Sequence, residues 1–151
     1  MQLQNLSDAT LLINTKKLVA HERETLAEIL HHLREIERRR LFASEKCESL
    51  HDYATKKLGY SDDQAYRRIA AMRLLKDLPQ MESRIIDGSL TLANLSLAST
   101  VIRAESKASG KAAPLSRKLE LIEAVVGKSR REAQARDQQM TSLPPEVLRP
   151  E

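Results

Sequence analysis

Basic and amide side chains of the types that contact nucleic acid lie close together in the middle of this sequence. Lys56 and Lys57 come just before a glycine, and Gln64, Arg67 and Arg68 follow it. Arginine can bind the edge of a guanine through two hydrogen bonds, glutamine can pair with adenine, and lysine neutralises phosphate. We therefore treat these five residues as candidate DNA contacts. The alternative is that they are ordinary solvated or ion-paired surface charges.

Local signals indicate how these side chains are positioned. A Ser-x-x-Asp cap at Ser49 begins a helix that Gly59 ends, and a capping box between Ser61 and Gln64 begins the next helix. Two short helices joined by a glycine-containing turn are typical of the helix-turn-helix, whose second helix usually reads DNA. We therefore predict a helix-turn-helix over residues 49–76.

The apolar spacing of these two helices predicts which faces are buried. The inward positions are Leu50, Tyr53, Ala54 and Leu58 in the first helix, and Ala65, Ile69, Met72 and Leu75 in the second. The exposed face of the second helix is expected to carry Asp63, Gln64, Arg67, Arg68 and Ala71. Asp62 and Asp63 begin this helix, where they suit the helix dipole but would face DNA phosphates. Counting from Gly59, Arg68 also occupies a position where the helix-turn-helix template expects an apolar residue.

A family resemblance points the same way. The segments GYSDDQAYRRIAAMRLLKDLP and IIDGSLTLANLSLA resemble the helical domain upstream of HNH endonuclease modules in bacterial proteins, and GKSRREAQA resembles the segment that closes that domain. RLLKDLP followed by DGSLTLANLSLAS is also similar, more loosely, to the ParB and KorB partition proteins. The resemblance covers residues 18–140 and implies a non-catalytic, DNA-engaging domain. No His-Asn-His nuclease core follows in this sequence, and a fragment of a longer nuclease is a further alternative.

Composition favours an all-α protein of one domain. The chain has 151 residues, 3% aromatic residues and no tryptophan, and its apolar residues are mostly leucine, alanine and isoleucine. We predict a multi-helix bundle with a long N-terminal helix and a central helix-turn-helix, over residues 1–140. The net charge of +4 does not decide for nucleic acid, but residues 53–76 hold six basic residues against two acidic ones.

The N-terminal third contains neither glycine nor proline between Ser7 and Cys47, so residues 7–47 are predicted to form one long helix or two in tandem. Within it Val19, Leu26 and Leu33 recur every seven residues. Such a stripe is either a coiled-coil seam or the face that packs on the helix-turn-helix. On the first alternative residues 7–20 overhang the domain and pair with a second copy. The dimer contacts would be Leu12, Val19 and Leu26, and the chain would be a protein-interaction or dimerisation module.

Supporting helices are predicted on the C-terminal side. A short helix over residues 81–87 has Ile85 and Ile86 inward and ends at Gly88, and Thr91 caps the next helix. The stretch 106–114 is expected to be a loop. A helix over residues 116–126 follows, with Leu119, Ile122 and Val126 inward, then a last helix to about residue 140 and a proline-rich tail or linker over 141–151. In the first turn of that last helix, basic residues form a second candidate anion contact. They are Lys128, Arg130 and Arg131.

Other chemistry is not expected. Cys47 and His51 are four residues apart, but structural zinc needs four ligands and the chain has one cysteine, so we expect no metal. No nucleophile with its base and no phosphate-binding loop occurs, so we expect no catalysis, no cofactor and no small-molecule substrate. The single cysteine and the absence of a signal peptide or membrane span predict a cytoplasmic protein.

Overall fold

The computed structural model describes residues 2–127. This part of the chain is helical and contains no strand, which confirms the all-α prediction and the long N-terminal helix. Several predictions fall outside the described residues: the helix to residue 140, the tail over 141–151, and the candidate contacts Lys128, Arg130 and Arg131.

The helices follow in chain order with short connections. They are α1 (Asp8–Arg39), α2 (Leu41–Ser44), α3 (Leu50–Lys56), α4 (Asp62–Asp77), α5 (Glu82–Ile86), α6 (Leu92–Ser109) and α7, which spans residues 115–127. Single 3-10 turns over Leu3–Asn5 and Pro79–Met81 precede α1 and α5.

The N-terminal third forms tandem helices, the second of the two alternatives. Arg40 adopts a left-handed conformation with φ +54°, and its backbone N–H donates to the carbonyls of Ile36 and Glu37. This break costs strain in a residue other than glycine. It turns the chain so that Phe42 is buried in α2, where the Arg40 guanidinium lies 5.6 Å from the centre of the Phe42 ring.

Helix α4 lies at the centre of the bundle and packs against α1, α3 and α6. Its predicted inward residues are all buried. They are Ala65, Ile69, Met72 and Leu75. The prediction that Ala71 is exposed was wrong: Ala71 is fully buried, as are most of Ala70 and Leu74. Because three helices surround α4, its C-terminal half is covered on nearly every side. A sequence pattern that assumes one buried and one exposed face does not predict this.

The predicted helix starts are confirmed. Ser61 Oγ accepts a hydrogen bond from the Gln64 N–H (3.2 Å), and Gln64 Oε1 accepts one from the Ser61 N–H (3.0 Å), which completes the capping box. The hydroxyls of Ser7, Ser49 and Thr91 each accept a backbone N–H from three residues later at the starts of α1, α3 and α6.

Two expectations about helix ends need correction. Helix α3 ends at Lys56, and Leu58 is 43% exposed instead of inward, because the chain already turns there toward Gly59, which has φ +79°. Helix α6 runs to Ser109, through the first residues of the predicted loop. Its end comes at Gly110, the first residue there that adopts a left-handed conformation without strain.

The remaining helices complete the core. Ile85 of α5 is buried as predicted, but Ile86 is exposed, because only one of two adjacent residues in this five-residue helix can face the bundle. Gly88 then ends the segment with φ +86°. In α7, Ile122 and Val126 are buried as predicted and belong to the same core as α4 and α6.

Candidate interaction surfaces

The predicted DNA contacts lie on the end of α3 and the start of α4, which pack against each other. Lys56 forms an ion pair with Asp52 one turn earlier, with 3.0 Å between Nζ and Oδ1, and this carboxylate raises the pKa of Lys56. Lys57 and Arg67 are exposed, and neither forms an ion pair within residues 2–127. These two cations are therefore available to an anionic partner.

Gln64 and Arg68 are engaged inside the protein. The side-chain oxygen of Gln64 serves the capping box, which leaves only its amide N–H groups for another partner. The Arg68 guanidinium lies 4.4 Å from the centre of the Tyr60 ring, and its Nη1 donates to the Gln64 carbonyl (3.1 Å). Arg68 is half-buried and holds the turn against α4, at the position where the template expects an apolar residue.

The acidic residues at the start of α4 are exposed. Asp62 Oδ1 lies 3.1 Å from His51 Nε2, so the carboxylate connects the two helices of the motif, and Asp63 is next to it on the surface. A phosphate that approached Arg67 from this end would also meet these two carboxylates. The turn and the start of α4 therefore present two free cations, Lys57 and Arg67, beside two acids.

A second basic region lies where α4, α6 and α7 meet, and the sequence did not indicate it. Arg73, Arg103 and Lys118 surround a cavity of about 200 Å³. Lys118 Nζ lies 2.7 Å from Asp77, and Arg73 pairs with Glu37. The Arg103 guanidinium lies 4.9 Å from the centre of the Tyr66 ring, on the wall of this cavity. Two of the three cations thus have carboxylate partners that join neighbouring helices.

The most exposed apolar surface of the described residues is at the N-terminal end of the chain. We call residues 2–20 the arm; residues 2–19 are all exposed, whereas the buried residues of α1 occur only from residue 27 onward. At 32 residues α1 is about 48 Å long, so that about 20 Å of it extends beyond the core. Large apolar side chains of the arm stand in solvent. They are Leu3, Leu6, Leu11, Leu12, Ile13, Leu18 and Val19, with Leu12 65% and Leu18 67% exposed.

Helical geometry gathers most of these side chains on one face. At 100° per residue, Leu11, Leu12, Leu18 and Val19 lie within about 60° of Thr15 around the helix, whereas Ile13 lies on the far side. The 3-10 turn that holds Leu3 and Leu6 folds back beside the helix, where both leucines line a groove with Leu18. The arm therefore carries one continuous apolar stripe.

The same stripe continues into the core farther along α1. Leu26 and Ile29 pack against the core, and Leu33 is only 2% exposed. Of the three predicted dimer contacts, Leu12 and Val19 are on the exposed arm, whereas Leu26 packs against the core of its own chain. The seven-residue repeat is therefore partly a packing face and partly an uncovered surface, and the sequence could not tell where one becomes the other.

We found no match to this chain among protein-family models, among curated proteins or among solved structures. The resemblance to the HNH-associated helical domain stays a prediction.

Metal-binding clusters and membrane-spanning helices are absent from the described residues. Within residues 2–127 no group of three or more histidine, cysteine, aspartate or glutamate side chains is placed to hold a metal ion. Cys47 is buried, with its thiol 3.6 Å from the Glu45 carbonyl oxygen. None of the helices in this range has the length and apolar character to cross a membrane.

Proposed function

We propose that this chain is a non-catalytic association module that pairs with a second copy of itself through the arm. The observation that carries this proposal is the apolar stripe of the arm, which no other part of residues 2–127 covers. Monomeric proteins rarely expose a contiguous apolar patch of this kind unless it serves an interaction.

The size of the stripe fits a small dimer interface. Its six large apolar side chains and Thr15 are all exposed, and pairing two such stripes would bury on the order of 1,000 Å², below the standard size of specific interfaces. The core of such an interface would be leucine and valine, with the polar residues of α1 at its rim. We expect a dissociation constant in the micromolar range, because interfaces of this size leave little surplus over the entropy lost on association.

A second copy suits this surface better than a charged partner. The arm holds one acidic and two basic residues, and none of them lies on the stripe between Leu11 and Val19. The partner surface must therefore be apolar and uncharged, and the arm itself is such a surface. Pairing would also stabilise the arm, because a helical segment of this length is marginal in water without tertiary contacts.

Sedimentation equilibrium over about 1 to 200 µM protein tests the proposal, since this range brackets a micromolar dissociation constant. We expect the native chain to change from monomer to dimer with concentration. The double variant Leu12→Glu with Leu18→Glu should weaken the dimer at least about 100-fold, because two charges would have to be buried in the contact.

The matched control is Leu97→Glu with Leu115→Glu, which places the same charges on two leucines outside the arm that are also more than half exposed. This control should associate like the native chain. A native chain that is monomeric at every concentration contradicts the proposal, as does a control that loses association to the same extent.

DNA binding is a second candidate function, favoured by the exposed and unpaired Lys57 and Arg67 beside the turn of the helix-turn-helix. We propose that these two cations contact phosphates on the DNA backbone. Phosphate contacts release counterions, so binding would weaken steeply with salt. Association through the arm depends on apolar contact and would not weaken in this way.

Fluorescence anisotropy of a labelled random-sequence duplex at about 50 and 200 mM salt measures this second function. Lys57→Ala with Arg67→Ala should weaken binding and lower the slope of log K against log salt by about two. Lys16→Ala with Lys17→Ala removes the same charge from the arm and should leave the slope unchanged. Equal losses in both double variants would mean that only net charge matters.

A further inference from the structure

The apolar residues of the arm are spaced symmetrically about Thr15. Leu11 and Leu12 precede it by four and three residues, and Leu18 and Val19 follow it by three and four. At 1.5 Å per residue these side chains stand at equal heights of about 4.5 and 6 Å on either side of Thr15. Turned end over end about Thr15, these four side chains of the stripe therefore coincide with one another, Leu11 with Val19 and Leu12 with Leu18.

We infer that the arms of two copies pair antiparallel, with the two-fold axis of the dimer passing beside Thr15. This inference rests on the self-association proposed above and adds its geometry. Leu11 and Leu12 of one copy then stand at the heights of Val19 and Leu18 of the other, so each end of the contact is a layer of four aliphatic side chains. Such a contact is isologous, because both copies use the same surface and the pair closes on itself.

Thr15 suits the position on the axis. Its hydroxyl donates to the Leu11 carbonyl of its own helix at 2.8 Å, so the polar atom needs no partner across the dimer. A threonine side chain is shorter than leucine, so the two helix axes can lie about 9 to 10 Å apart, within the usual range.

The position of the core excludes the parallel arrangement. Leu26 and Leu33 lie within about 20° of Thr15 around α1, so the core packs on the same side of the helix as the stripe. In a parallel pair both cores would have to occupy the space between the two helices. In an antiparallel pair they lie at opposite ends, and Asp8 of one arm stands opposite Glu22 of the other, so that an exposed pair of carboxylates bounds each end of the apolar contact just before the core begins.

Engineered cysteines distinguish the two orientations. With helix axes about 9.5 Å apart, the Cα atoms of residues 11 and 19 of opposite copies stand about 6.5 Å apart in the antiparallel pair, within the range for a disulfide. Two copies of residue 11 stand about 13 Å apart in that pair, too far for a disulfide, but face each other in a parallel pair. The native Cys47 is buried, so the native chain is the control for background crosslinking.

The experiment mixes Leu11→Cys with Val19→Cys, one of them carrying a mass tag, and oxidises the mixture. We expect the mixed disulfide to exceed either same-variant disulfide at least about tenfold, as the disulfide distances require. Leu11→Cys that crosslinks with itself as readily would overturn the antiparallel pairing.

Thr15→Cys separates this inference from the function on which it rests. Residue 15 lies at the centre of the contact in either orientation, so it should form a disulfide whenever the arms pair. Crosslinking at residue 15 without a mixed 11–19 disulfide would overturn the orientation and leave self-association intact. No crosslinking at any of these positions would overturn both.

Discussion

The arm and the second half of α1 belong to one uninterrupted helix with the same apolar repeat, yet they have opposite surroundings. Leu12 and Leu33 are three heptads apart and therefore face the same side of the helix. Leu33 is 2% exposed in the core, whereas Leu12 is 65% exposed. The comparison teaches that a periodic apolar pattern predicts a buried face but not which chain buries it.

The difference arises from the rest of the fold. Helices α4 and α5 pack on α1 only where it lies over the core, and they contribute Met72 and Ile85 to that core. Residues 2–19 are all exposed within the described chain, and the single turn at Leu3–Asn5 belongs to the arm itself. The core thus folds on contacts within one chain, whereas we propose that the arm depends on a second chain.

The largest expected effect comes from the same substitution at the two leucines. Leu33→Ala should lower the free energy of unfolding by about 3 kcal/mol, because it leaves a cavity in a closed core. Leu12→Ala should leave the stability of the monomer within about 0.5 kcal/mol of the native value, because the side chain is exposed. Urea denaturation at low protein concentration measures both.

Raising the protein concentration sharpens this result. Dimer formation should stabilise the native chain and the Leu33→Ala variant by mass action, but Leu12→Ala much less. Equal destabilisation by both substitutions at low concentration would show that the arm is part of the cooperative core.

A smaller effect is expected from the helix caps. Ser61→Ala should lower the free energy of unfolding by about 1 kcal/mol, because α4, at the centre of the bundle, loses the hydrogen bond that Ser61 Oγ accepts from the Gln64 N–H. Ser7→Ala removes the equivalent cap of α1 at the tip of the arm. It should fray the arm, seen as a loss of circular dichroism at 222 nm, without moving the urea midpoint. A shifted midpoint in Ser7→Ala would mean that arm and core unfold together.

The smallest effect concerns pH and the part of α1 that lies over the core. Arg38 and Arg39 donate hydrogen bonds to Glu35 and lower its pKa from 4.5 to about 2. A carboxyl whose pKa is lower in the folded state stabilises the fold above its unfolded pKa, and this contribution is lost as pH falls from about 4.5 to 2. Glu35→Gln should therefore lose less stability than the native chain between pH 5 and 2. Because Glu35 is solvent-exposed, the difference should be small and should shrink with added salt. Identical pH dependence of the free energy of unfolding in the native chain and in Glu35→Gln would refute the lowered pKa of Glu35.

Much of the fold could be predicted from local chemistry. The caps at Ser49, Ser61 and Thr91 define helix starts, because each cap is a hydrogen bond between a hydroxyl and a backbone N–H only three residues away. The break at Arg40 could not be predicted, since a left-handed arginine is tolerated only where tertiary packing, here the burial of Phe42, compensates for the strain.

The surfaces were harder to predict for the same reason. Lys57 and Arg67 proved to be free and Arg68 half-buried, although all three are basic residues of one segment, because exposure depends on distant helices and on Tyr60. The burial of Ala71 and the exposure of Leu12 likewise depend on which helices pack on α4 and α1. Sequence spacing does not contain that information.

Amide hydrogen exchange at two protein concentrations tests the central claim most directly, because it reports on the arm and the core in one sample. If a second copy covers the arm, exchange of the amides in residues 11–20 should slow as the concentration passes the dimer dissociation constant. The exchange of the α4 amides should then slow by no more than the increase in the global free energy of unfolding accounts for. Arm amides that exchange at the same rate at both concentrations would contradict the account.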